Sequence, residues 1–146
     1  MSKMNQVELK PSVVGPVLTD KADYILKALR TSRNNIKVLS DQIAENEVAA
    51  TSVKGELEHF QAKYFVEAAT TLNQAGKLVY PNLDSQKAAV EVAIHESIDY
   101  QQLSATRLEL LKEIQKKKNT IVCEHERRGD LKTEVELLKL LTAEAI

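Results

Sequence analysis

The sequence predicts an all-α protein: a long antiparallel two-helix coiled-coil hairpin with an extended N-terminal arm, able to pair into a four-helix dimer. Three observations carry that expectation. Two long tracts repeat apolar residues in alternating steps of four and three. Helix-ending and helix-capping residues, QAGKLVYPNLD, separate the tracts near the middle of the 146-residue chain. The composition is 43% hydrophobic and 28% charged but only 4% aromatic, which suits long helices better than a bulky core.

The chain begins with MSKMNQVELKPSVVGPVLTDK, where Pro11, Gly15 and Pro16 oppose a long helix. Residues 1 to 18 therefore read as an extended or partly ordered arm. Its Val13, Val14, Val17 and Leu18 are too apolar for a fully solvated tail, so the arm is expected to pack against something. Thr19 or Asp20 can then cap the first helix, because a short oxygen-bearing side chain accepts from free N–H groups of the first turn.

The first helix is expected over residues 19 to 75. Its stripe runs Ile25, Leu29, Ser32, Ile36, Leu39, Ile43, Asn46, Ala50, Val53, Leu57, Phe60 and Tyr64, and ten of these twelve are apolar or aromatic. A strict repeat of about 3.5 residues held over several heptads marks a seam between helices rather than one face of a lone helix. Asn46 interrupts it, as a polar residue that sets register would.

Gly76 suits the left-handed position just past a helix end, and Pro81 disfavours a helical Tyr80. Asn82 is placed to cap the next helix, with Asp84 near its positive end. The turn is thus read at residues 76 to 82, short enough for antiparallel neighbours, so that residue i lies opposite roughly 160 − i. Ile25 is then expected near Val135.

The second helix is expected over residues 83 to 143. Its stripe is Leu103, Arg107, Leu110, Ile114, Lys117, Ile121, Glu124, Arg128, Leu131, Val135, Leu138 and Thr142, of which seven are apolar. An earlier stripe, Val90, Ala93, Ile94 and Ser97, is out of register with it. Either a kink or restart near residues 97 to 100, with Asp99 as cap, or an unbroken change of face accounts for the mismatch.

Three candidate surfaces emerge. The tip of the hairpin offers Leu78, Tyr80 and Leu83 for docking, or as a plug that closes the seam. Lys112, Lys116, Lys117, Arg127 and Arg128 form a candidate basic patch for phosphates. Arg30 and Arg33 are placed near Arg128 across the seam. Glu109, Glu113, Glu124 and Glu126 interleave with the patch, as on an ordinary solvated face. Leu137, Leu138, Leu140 and Leu141 make a stripe wider than a two-helix seam and are the candidate oligomer surface. A second copy is the expected cover, with the N-terminal arm as the alternative.

No catalytic, cofactor or metal site is expected. His59, His95 and His125 do not converge, and neither paired-His nor paired-Cys spacing occurs. Cys123 reads as a buried or partly exposed structural thiol. The Gly-Lys of QAGKLVYP lacks the second glycine and preceding strand of a phosphate loop. A net charge of −1 gives no general attraction to nucleic acid or to an anionic membrane. One cysteine, no basic–apolar leader and no membrane-length apolar run point to a cytoplasmic protein with no membrane contact.

The stretch GKLVYPNLDSQKAAVEVAIHESIDYQQL resembles the midsection of short coiled-coil proteins of unknown function from bacteriophages and bacterial mobile elements. Tyr80, Pro81, Asn82, Lys87 and Ala88 match the turn and helix start of that family, and Asp99, Tyr100 and Leu103 match a following Asp–Tyr block. The resemblance spans about 28 residues. It implies no enzymatic activity and favours an accessory role beside DNA replication or recombination proteins. The expectation from the residues themselves is a non-enzymatic interaction or scaffold protein that forms a homodimer and binds an unidentified protein partner. The alternative is an accessory factor associated with nucleic acid.

Overall fold

A computed structural model describes residues 11 to 145. Three helices occur among them: α1 (Pro11–Thr70), α2 (Leu83–Glu96) and α3 (Ile98–Ala145). The chain forms two compact units, one from Met1–Asp41 with Lys118–Ile146 and one from Gln42–Lys117. No helix among the described residues is long and apolar enough to cross a membrane.

The start of α1 corrects the expected arm. Residues 11 to 18 are helical, so Thr19 and Asp20 lie inside α1 rather than at its cap. Residues 1 to 10 lie outside the described residues. Pro11 occupies the first helical position, where the missing N–H costs no bond. Gly15 and Pro16 each weaken the helix locally, but helix propagation is cooperative and α1 continues for 60 residues in all.

The predicted stripes are the sides withheld from solvent. All twelve stripe residues of α1 are buried or half-buried, Asn46 among the half-buried ones. Eleven of the twelve on α3 are too, with Thr142 exposed. In the first unit, Ile25, Leu131 and Leu138 form a buried cluster, and Ala22, Ala28, Leu29 and Val135 pack around it. Val135 is the neighbour expected for Ile25. Ile25 is only 1% exposed, and burying such a side chain stabilises the fold by about 1.5–3 kcal/mol.

The cluster is followed by polar pairings. Arg128 Nη1 donates to the Leu29 carbonyl at 2.7 Å, and Ser32 Oγ donates to Glu124 at 2.6 Å. As the number rises along α1, the partner's number falls along α3. Ser32 is 0% exposed, which a serine tolerates only when its hydroxyl is bonded.

In the second unit the buried side chains are Ile43, Ala50, Leu57, Ala68 and Ile114. Phe60 stands edge-on to Tyr100, with ring centroids 6.4 Å apart, and Gln61 Nε2 donates to the Tyr100 hydroxyl at 2.8 Å. This pairing of residue 60 with residue 100 is the one that the sequence symmetry predicts. Arg107 holds a stripe position with its Nε buried and without a hydrogen-bond partner.

The restart near residues 97 to 100 is a real break, and Ser97 rather than Asp99 makes it. Ser97 has extended dihedrals (φ −78°, ψ 113°), and its N–H closes α2 on the carbonyls of Ala93 and Ile94. Its Oγ accepts from the Tyr100 N–H at 3.1 Å, which caps α3. One serine thus ends one helix and starts the next. Asp99 lies in the first turn of α3, where its charge favours the positive helix end.

Candidate docking surfaces

The loop between α1 and α2 is longer and more constructed than a helix-end turn. α1 stops at Thr70, five residues before the expected end. Thr70 Oγ1 and Thr71 Oγ1 donate to the carbonyls of Val66 and Glu67, satisfying acceptors of the last turn. Asn73 Oδ1 then accepts from the N–H groups of Ala75 and Lys77, at 2.9 and 3.0 Å. Its own N–H donates to the Lys77 carbonyl at 2.7 Å. A short asparagine side chain thereby competes for backbone donors that a helix would need.

The loop closes through an isolated antiparallel bridge between Leu72 and Leu78. Gly76 has φ +75°. It is not the residue past the helix end, as the sequence suggests, but the point where the bridged segment reverses. The left-handed conformation is strained for residues with a Cβ, so glycine fits there. No hydrophobic signal marks this bridge; Asn73 is the residue that reveals it in retrospect.

Asn82 caps α2 as expected, at φ −133° and ψ 167°. Its Oδ1 accepts from the Ser85 N–H at 2.8 Å, and Ser85 Oγ lies 3.3 Å from the Asn82 N–H, closing a capping box. Gln86 Nε2 donates to the Tyr80 carbonyl at 3.1 Å and ties the loop to the helix. Of the three tip residues, Leu78 and Leu83 are exposed, while Tyr80 is half-buried. Val79, in the same tip, is exposed too, and so is Leu72, which lies outside the expected tip.

Lys112, Lys116 and Lys117 belong to the second unit, Arg127 and Arg128 to the first. Arg128 is half-buried and donates to the Leu29 carbonyl, so its charge serves the packing of α1 and α3. Lys112 pairs with Glu109 at 3.5 Å on an exposed face. Lys117 is half-buried and lines a shallow groove with Asn46, Glu109 and Glu113.

The leucine stripe divides. Leu138 is buried against Ile25 and Leu131, which removes it from the candidate oligomer surface. Leu137, Leu140 and Leu141 remain exposed. At 100° per residue Leu140 projects from the side of α3 opposite Leu131 and Leu138, while Leu137 and Leu141 lie on one flank between the two sides. Cys123, expected to be buried or partly exposed, is exposed. No group of three or more His, Cys, Asp or Glu among the described residues is arranged to hold a metal.

An open groove of about 470 Å³ lies between α1 and α2. Ala62 and Phe65 of α1 and Val90 and Ile94 of α2 give it an apolar lining, edged by Glu58, Gln61, Lys87 and Glu91. Phe65 lies off the predicted stripe of α1, which ends in Leu57, Phe60 and Tyr64. The groove was illegible because it needs α2 and α1 to be set side by side.

Compared with known proteins, the chain matches no family model, no curated protein and no solved structure. Several residues of the GKLVYPNLDSQKAAVEVAIHESIDYQQL stretch have local structural roles. Asn82 caps α2, Asp99 opens α3, and Tyr100 contacts Phe60 and Gln61.

Proposed function

We propose that the chain is a non-enzymatic helical interaction protein, a scaffold of the antiparallel coiled-coil hairpin type that associates with itself. The observation that carries this reading is the apolar surface left open. Nineteen large hydrophobic side chains are exposed among the described residues, against eight hydrophobic residues in the buried core. Isolated exposed leucines are ordinary on a monomer, but grouped ones need a cover. Here they are grouped along the chain, as Phe65 and Val66 near the end of α1, Leu72, Leu78, Val79 and Leu83 at the loop, and Leu137, Leu140 and Leu141 near the end of α3.

Light scattering over a range of concentrations tests the reading. The expected mass is about 33 kDa, twice that of the 16.3 kDa chain. A mass that stays at 16.3 kDa up to several hundred micromolar removes self-association from the proposal. A mobility shift with DNA or RNA that weakens steeply with added salt would instead favour the nucleic-acid role.

A further inference from the structure

We infer that the groove between α1 and α2 is the contact surface for a second copy of the chain, which docks with its own α2 running antiparallel. This rests on the self-association proposed above and names the surface that performs it. The argument is charge complementarity. Lys87 and Glu91 are both exposed and stand one turn apart on the α2 edge of the groove. Among the described residues, no ion pair engages either of them. A two-fold axis crossing α2 midway between them brings Lys87 of each chain to Glu91 of the other.

Such a patch is complementary to itself, as an isologous interface requires. The two ion pairs form reciprocally, and the same rotation turns the apolar linings toward each other. Phe65, exposed at the rim of α1, is the large side chain available to fill the opposing groove. Lys87 lies four residues into α2 and Phe65 five residues before the end of α1. Both are therefore roughly 6–8 Å from the loop-side end of their helix, at 1.5 Å per residue. The axis, midway between Lys87 and Glu91, lies about 9 Å from that end of α2, within one turn of the Phe65 level, so one axis serves the charges and the aromatic ring together. A partner with a single sign of charge would satisfy only one of the two.

The test uses full-length Lys87→Glu and Glu91→Lys chains in sedimentation equilibrium, with circular dichroism to confirm that both remain helical. Each variant alone faces like charges at both pairing points, so its dimer is expected to weaken at least about tenfold. Mixed in equal amounts, the two variants regain opposite charges at both points and are expected to dimerise as wild type does. Phe65→Asp is expected to be monomeric, and Leu140→Ser, outside the groove, to keep the wild-type mass.

Single variants that dimerise like wild type, or a mixture that stays monomeric, overturn the assignment of the groove. Loss of the dimer in Leu140→Ser overturns it as well and moves the contact to the end of α3. In each of these cases a dimeric wild type leaves the proposed self-association standing. A wild type that is monomeric throughout defeats both.

Discussion

Ser32 Oγ donates to Glu124 Oε2 across 2.6 Å, joining residues 92 positions apart in the chain. One is the most buried polar residue of the first unit and the other a half-buried carboxylate on the facing helix. Both occupy stripe positions where the heptad repeat calls for apolar side chains. A charged acceptor makes this bond stronger than one between neutral groups.

Ser32→Ala is expected to lower stability by about 1–2 kcal/mol, since it deletes the donor and leaves a small void. A double-mutant cycle with Glu124→Ala, read by urea unfolding, should give a coupling of about 1 kcal/mol. Additive effects of the two substitutions would show that the bond contributes nothing to stability.

Arg107 presents the opposite case. Its Nε is buried without a partner, which carries a desolvation cost with no compensating bond. Arg107→Met keeps much of the side chain's length and apolar stem. It is expected to raise Tm by a few degrees, equivalent to about 1 kcal/mol. A lower Tm measured by thermal circular dichroism would mean that the rest of the guanidinium contributes more than the Nε costs.

The α2 cap should be separable from the docking chemistry. Asn82→Ala is expected to cost about 1 kcal/mol, because the Ser85 N–H loses its acceptor. Asn82→Asp restores an acceptor, adds charge at the positive helix end, and should recover most of that loss. Equal destabilisation by both substitutions in chemical unfolding would rule out the capping role.

Two glycines should respond with opposite signs. A Cβ at Gly76 meets no atom within 4 Å, so Gly76→Ala costs only the strain of its φ of +75°, about 1–2 kcal/mol. Gly55 lies inside α1 with equally open space around it, and Gly55→Ala should stabilise by about 0.5–1 kcal/mol. Unfolding free energies of the two variants measured side by side check the pair. Stabilisation by Gly76→Ala would show that the loop is not held in this conformation.

Local chemistry was sufficient to determine much of this protein from sequence alone. The stripes of α1 and α3 followed from side-chain spacing, because a helix places residues three and four apart on one side. Asn82 followed from the donors that any helix start leaves free. The all-helical class followed from the four-and-three apolar spacing and the low aromatic content. What depended on groups far apart in the chain was decided only by tertiary structure. Ser32 and Glu124 look like two flaws in separate stripes until the helices bring them to 2.6 Å. Arg128 stands in the stripe and in the candidate basic patch alike until the Leu29 carbonyl takes its charge inward. Leu138 stood both in the stripe and in the candidate oligomer surface, and its burial with Ile25 and Leu131 is what gives it to the core while Leu140 stays in solvent. Likewise, the end of α1 at Thr70 depended on Asn73 capturing the Ala75 and Lys77 amides, a competition between a side chain and the helix that periodicity does not register.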